Sequence, residues 1–416
     1  MKGTLILSIG LSLLVCNAIS GQSSDANGPV SLADYLKLAA LNNAELKADF
    51  EMWKAAVEQI PQAQALPDPE INYGNFVRQS DMQMNRMMGI MQMFPWFGTV
   101  EAKIDIASSQ AKAARQRFEA TKLKLFREVK QAFYEYSYLA TAIDIAKDNL
   151  ELLKHFEEIA RTKYAAATVG HPDIVRAQVE LAELENVLKT LEKFREPMAA
   201  KLNALLNRPT GATLAWPRKE PLRQVQIDRQ KVIDMIVKLN PELAKLDYEV
   251  QAARYNVELV KKRFYPDIGI GVEWTQFDKS GDNSGRDSVA VMFKMNLPLW
   301  WNSYKAGELQ AKASTEQARQ TRISEENKIL AQSSEILYEI DKAQREIILY
   351  GDVLITKTQE LVRASESAYS AGTLDFLSLI DAQRMLLKYQ LDYERAVTNK
   401  QQKIAELEML IGVELK

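Results

Sequence analysis

Six methionines crowd one short stretch: Met82, Met84, Met87, Met88, Met91 and Met93. Their thioethers are soft ligands of the kind that take Cu(I) or Ag(I). Read as a strand, the stretch places Met87, Met91 and Met93 on one face with Gly89, opposite Arg86 and Gln92. Period-two alternation of this kind fits a lipid-facing stripe, so no metal site is expected. The two histidines, His155 and His171, lie far apart in sequence, with His155 inside a helical pattern. Zinc would need more ligands at shorter spacing, which leaves structural roles and, for His171, a contact with a partner. No glycine-rich phosphate loop occurs, no grouping of serine, histidine and acid is suggested, and the single cysteine, Cys16, falls in an N-terminal leader. No enzyme activity, catalytic residue or cofactor is expected.

The elements that carry these residues are unusually long. From Ile104 onward every seventh residue is apolar, through Ala111, Phe118, Leu125, Ala132, Leu139, Ala146, Leu153 and Ala160 to Ala167. A second stripe runs through Ala107, Ala114, Val129, Tyr136, Ile143 and Leu150, and neither proline nor glycine interrupts them. This is a seven-residue helical repeat, expected over about 99–167 and roughly 100 Å long. A second such stretch spans about 303–371, with Ile340, Ile347, Leu354, Leu361 and Ala368 seven apart. Val169-Gly170-His171-Pro172 ends the first and Ala371-Gly372-Thr373-Leu374 the second. Glycine is expected to supply a left-handed cap at each turn, with Pro172 in the first turn of the next helix. Returning helices then complete two long hairpins, about 99–207 and 303–411.

The chain has 416 residues, 47% of them apolar, and a net charge of −2. Nucleic acid is excluded as a partner, since no basic excess exists to neutralise phosphate. Residues 1–20 read as a secretory signal: Lys2, an apolar run from Leu5 to Val15, and Ala18-Ile19-Ser20 for cleavage. Lipidation of Cys16 is the competing reading. Residues 21–30, polar in composition, are expected to be a flexible N-terminus. No later run is long and apolar enough for a spanning helix, so any membrane segment must consist of strands.

Four strands are expected, at about 69–79, 86–94, 267–277 and 287–298. Ile268, Ile270, Val272 and Trp274 alternate with Gly269, Gly271, Glu273 and Thr275, and Val289, Val291, Phe293, Met295 and Leu297 alternate with Ser288, Lys294 and Asn296. Such strands suit a barrel with its apolar face to lipid, or a soluble sheet with one wet face. Four strands cannot close a membrane barrel, because every backbone group in lipid must be paired, so a barrel requires several chains.

The order of elements repeats. Asn43-Ala44-Glu45-Leu46 matches Asn240-Pro241-Glu242-Leu243, and Phe94-Pro95-Trp96-Phe97-Gly98 matches Asn296-Leu297-Pro298-Leu299-Trp300-Trp301. Residues 31–208 form the first repeat, 209–229 a connector and 230–416 the second. The fold class is mainly α with a small β part, in two tandem repeats of strand hairpin plus long helical hairpin.

This order, with its signal peptide, Pro-Asp before a strand and a Gly-x-x-Asp turn followed by Ala-Gln, resembles the TolC-type outer-membrane efflux family. The resemblance implies a homotrimer with a shared twelve-stranded barrel in outer-membrane lipid and an α-helical tube projecting through the periplasm. It implies a passive exit duct of a tripartite efflux or type I-like export system. The partners implied are a periplasmic adaptor (membrane fusion protein) and an inner-membrane transporter of the RND or ABC kind. Val169, Gly170, His171 and Pro172, with Ala371, Gly372, Thr373 and Leu374, would be the docking tips. The family narrows its tube with acidic residues after the second turn. Here Ser378-Leu379-Ile380-Asp381-Ala382 keeps only the second, so one carboxylate ring at Asp381 is expected, with Ser378 in place of the first acid and Arg176 at the corresponding place after the first turn. That first turn reads as three residues shorter. Trp96, Phe97, Trp300 and Trp301, at the strand ends, suit a membrane interface or packing between helix and sheet. The alternative function is a secreted or periplasmic coiled-coil scaffold.

Overall fold

The computed structural model describes residues 30–77, 84–223, 225, 228–277 and 286–415. The signal segment, Cys16, most of 21–30 and Met82 lie outside the described residues.

Each repeat begins with two short helices. Helices α1 (Leu32–Asn42) and α2 (Ala44–Gln64) precede strands β1 (Glu70–Asn75) and β2 (Met84–Phe94). Ser31 caps α1 by a reciprocal exchange with Asp34. Then come the long α3 (Thr99–Ala165) and the returning α4 (His171–Leu205). The second repeat has α5 (Arg229–Leu239), α6 (Pro241–Lys262), β3 (Ile268–Phe277), β4 (Ser288–Met295), α7 (Trp301–Ile348), α8 (Ile355–Ala371) and α9 (Phe376–Ile411). Among the described residues, no helix is long and apolar enough to cross a membrane.

The repeat extends to single hydrogen bonds. Asn43 accepts from the Leu46 amide at 3.0 Å and donates to the Leu205 carbonyl at 3.2 Å. Asn240 does the same with Leu243 at 3.0 Å and Leu410 at 2.8 Å. One asparagine in each half therefore caps a short helix and ties it to the end of the returning helix.

The 67-residue α3 is the spine, at roughly 100 Å. Its stripe at Ala111, Leu125, Ala132, Leu139, Ala146, Leu153 and Ala160 is buried against α2, α4, α6 and α9. Around Tyr35, Phe133, Tyr136 and Leu202 it forms one core, and around Phe156, Tyr369, Phe376 and Leu379 another, nearer the turns.

The second long helix departs from its expected stripe. A π-helical segment, Leu349–Leu354, separates α7 from α8. Ile340 and Ile347 are buried as expected, but Leu361 is 43% exposed while Val362 is 4% and Tyr369 1% exposed. A π turn takes in one extra residue, so the buried stripe moves from Leu361 and Ala368 to Val362 and Tyr369. Gly351 sits in that turn against Tyr393, whose Cε2 would lie 2.9 Å from an added Cβ.

The four strands make one antiparallel sheet in the order β1-β2-β3-β4, so the two repeats meet at the β2–β3 pairing. The register corrects the expected orientation of the methionines. Met87, Met91 and Met93 lie opposite Thr275, Gly271 and Gly269, on the face that also carries Glu273 and Lys294. The apolar face is the other one, with Met88 and Ile90 beside Trp274 and Val272. Alternation fixes which residues share a face, and only the pairing fixes which face is which.

Candidate functional site

Two regions of the chain hold the residues singled out in the sequence: the sheet with its flanking aromatics, and the hairpin tips. One face of the sheet carries an apolar row that runs from edge to edge. Ile71 pairs with Ile90, Ile90 with Val272, and Val272 with Val291, and all four are exposed. The opposite face carries Glu70, Asn72, Gly89, Glu273, Ser288 and Lys294 among its glycines and methionines. Lys294 Nζ lies 3.8 Å from Glu70 Oε2, although β4 and β1 are the two edges. The polar face is therefore concave, as in the wall of a barrel whose inside is wet.

At the foot of the sheet the aromatic residues divide. Trp96 stacks on Tyr265 at 5.0 Å with the rings 6° apart, and its backbone amide donates to Asp267 Oδ1 at 2.9 Å. Phe97 is 80% exposed, Trp300 74% and Trp301 60%. Packing thus accounts for Trp96, while Phe97, Trp300 and Trp301 form an exposed aromatic fringe where strands become helices.

At the far ends of the helices the two turns have one geometry. Both are Schellman turns: Thr168 donates its amide to the Lys163 carbonyl and Thr373 to that of Ala368, each at 2.9 Å. The left-handed residue is Gly372 (φ 78°) in the second turn and Ala167 (φ 55°) in the first. Gly170 is the extended N-cap of α4, with φ −84°. The expected glycine cap therefore holds at Gly372 and fails at Gly170, because the chain turns three residues earlier. Gly170 corresponds to Asp375, the N-cap of α9, and the two turns are equally long. Rings repeat the match: Tyr164 meets His171 at 5.7 Å, and Tyr369 meets Phe376 at 5.2 Å.

In this register Arg176 occupies in α4 the place that Asp381 occupies in α9. The two do not pair. Asp381 lies 3.8 Å from Arg384 on its own helix, and both are about half exposed. Arg384 also donates Nε to Glu180 Oε2 at 3.0 Å, tying α9 to α4. Arg176 instead adds to the positive field that, with the Ser378 hydrogen bond as the larger cause, holds the Asp375 carboxyl below its ordinary range. The Ser378 amide donates to Asp375 Oδ1 at 2.8 Å, so Ser378 belongs to a helix cap. His155 lies 3.1 Å from Glu366. Among the described residues no group of three or more histidine, cysteine, aspartate or glutamate side chains could hold a metal ion. Arg384, Glu180 and Tyr369 escaped sequence reasoning. The match of Tyr164 and His171 to Tyr369 and Phe376, each 205 positions on, was the signal that could have found Tyr369; the same register sets Val179 against Arg384 and Met385 against Glu180, so it marks neither of those.

A family model described as outer membrane efflux protein matches residues 35–208 and 232–413, and the chain belongs to that family. The chain is 22% identical to nodulation protein T of Rhizobium leguminosarum bv. trifolii, over 93% of this chain and 86% of that protein. It is 21% identical to the cobalt-zinc-cadmium resistance protein CzcC of Cupriavidus metallidurans, over 93% and 91%. The crystal structure of the outer membrane protein VceC from Vibrio cholerae shares the fold, with a TM-score of 0.77 at 16% identity over 92% of this chain and 97% of that one. The protein is an outer-membrane exit duct of tripartite efflux, with its helices on the periplasmic side. The scaffold alternative is not favoured.

Proposed function

We propose that three copies close one twelve-stranded barrel, β4 of each pairing with β1 of the next, around a continuous passive duct. The observation that carries this is the sheet itself. Four strands with one apolar face and two open edges leave backbone groups that lipid cannot satisfy, and neighbouring copies supply the missing partners. Exposed apolar residues along the helices, Val175, Val179, Val187 and Phe194 on α4 and Leu309, Ile323 and Tyr338 on α7, favour the same association. Phe97, Trp300 and Trp301 then sit at the periplasmic interface of the membrane.

In this reading the duct consumes nothing. The turns at 167–172 and 371–375 dock onto a periplasmic adaptor serving an inner-membrane transporter of the RND or ABC kind. Their equal length supports equivalent docking of both tips. Asp381 from each copy forms a carboxylate ring near the mouth, held close to Arg384.

The test is the native mass of the protein extracted from outer membranes in mild detergent, followed by conductance in planar bilayers. A mass near three mature chains, with discrete channel openings, is expected. A monomer soluble without detergent would overturn the barrel.

A further inference from the structure

We propose that the pore-facing methionines Met91, Met93 and Met292 form a thioether site for a soft monovalent cation of the Cu(I) or Ag(I) class, set in the barrel wall on the export path. The inference rests on the inner face of the sheet being the barrel lumen.

The register brings the three together. Glu70, Met91, Gly271 and Met292 stand directly opposite one another across all four strands, and Met93, Gly269 and Lys294 form the neighbouring row. The sulfurs of Met93 and Met91 lie 2.6 Å and 3.2 Å from the point that a Cβ would take at Gly269, so they are at most the sum of these, 5.8 Å, apart. Met91 Sδ is also 3.0 Å from the corresponding point at Gly271. Met292 is separated from Met91 only by Gly271, a gap of roughly 9.5 Å between strands that two flexible methionine side chains can span over a residue with no side chain. The two glycines therefore leave a hollow that thioethers fill.

Packing alone does not require sulfur there. Leucine would fill the hollow with similar volume, whereas a thioether adds a soft lone pair beside water. The charges around the hollow suit a cation. Lys294 is matched by Glu70 at 3.8 Å, and Glu273 adds a carboxylate in the next row. Thioethers select Cu(I) and Ag(I) over hard cations, so a divalent hard ion would pass without binding.

The experiment uses the full chain in detergent with methionine ε-methyl groups labelled with carbon-13, titrated with silver nitrate, with native mass measured on the same sample. Expected are shifts of the Met91, Met93 and Met292 methyl signals, none at Met88 and Met295 on the outer face, and no response to magnesium. In Met91→Leu/Met93→Leu, silver affinity should fall about tenfold or more with native mass unchanged. Should that variant fail to assemble, the wild-type shifts decide. Unmoved pore-face signals, equal shifts on both faces, or unchanged silver binding by an assembled variant would overturn the site. A sample without the assembled mass would instead overturn the barrel reading on which it rests.

Discussion

The hydroxyl of Tyr369 donates to Asp173 Oδ2 across 3.2 Å, joining the last turn of α8 to the first turn of α4. Each of the two hairpin tips contributes one partner. Burial foremost, then the negative charge of Asp173, push the Tyr369 phenol well above its ordinary range, so it remains a donor throughout the physiological pH span. Lys163 braces the same place, donating to the Ser370 carbonyl at 2.9 Å. A hydrogen bond to a charged acceptor contributes roughly 1.5–3 kcal/mol. Tyr369→Phe is expected to loosen the tips and raise the basal conductance of reconstituted channels with little change in assembly. Conductance equal to wild type would show that the bond does not hold the mouth closed.

A second lock lies in the body of the helices. Lys130 Nζ donates to Glu408 Oε2 at 2.7 Å and to Glu414 Oε1 at 2.9 Å, and Arg223 reaches Glu408 Oε1 at 2.9 Å. Lys130 and Glu408 are buried, so Lys130→Met leaves Glu408 with Arg223 as its remaining cation, at a cost below the roughly 3–5 kcal/mol of a buried charge left with none. The hydrogen bond and charge of Lys130 hold the Glu414 carboxyl below its usual 4.5. A lowered carboxyl stabilises the fold above its unfolded pKa and loses that effect as pH falls through the folded one. Because Glu414 is largely exposed, its share is small. Urea unfolding should therefore show a lower midpoint for Lys130→Met at pH 7, and a flatter decline than wild type below about pH 4.5.

Much of this architecture was legible in the chain. Leu139, Ala146, Leu153 and Ala160 are buried because a seven-residue stripe on a long helix has only one way to be covered. The four strands appeared near their expected places for the same reason of period. The failures are equally physical. Met87, Met91 and Met93 share a face with or without a structure, but methionine suits an apolar or a polar face alike, and only the pairing that sets them on the face of Glu273 and Lys294 decides. Gly170 drew the expected left-handed position away from Ala167, where it lies, because an alanine in that conformation has no sequence mark. Leu361 fits its heptad, and the extra residue of a π turn ten positions earlier rotates it into solvent.

That π turn invites its own test. In Gly351→Ala the new methyl would meet the Tyr393 ring at 2.9 Å, an overpacking that costs roughly 1–3 kcal/mol. Alanine's better helix propensity returns up to about 1 kcal/mol. A net loss of between about 0 and 3 kcal/mol is expected in thermal unfolding, and it should shrink when Tyr393→Leu removes the ring. If Gly351→Ala changes stability by the same amount with Tyr393→Leu as with Tyr393 intact, the ring is not what keeps glycine there.

The tip electrostatics turn on Arg384, which stands between two carboxylates. Glu180 Oε2 accepts from its Nε at 3.0 Å, while Asp381 Oδ1 lies 3.8 Å away. Glu180 raises the guanidinium's affinity for its proton and holds its fork toward α4, leaving Asp381 the weaker claim. Glu180→Gln removes that competitor, so Arg384 is expected to swing onto Asp381 and cancel much of its charge. If Asp381 sets a cation preference at the mouth, Asp381→Asn should reduce the cation-to-anion permeability ratio. Glu180→Gln should then lower it in the same direction by up to about fivefold, the range of an exposed ion pair worth no more than about 1 kcal/mol. The double variant should fall no further than Asp381→Asn alone, since both changes remove the same field. Reversal potentials measured across a salt gradient in planar bilayers distinguish the cases. Additive losses would make Glu180 an independent contributor, and unchanged selectivity in Asp381→Asn would remove Asp381 from the gate.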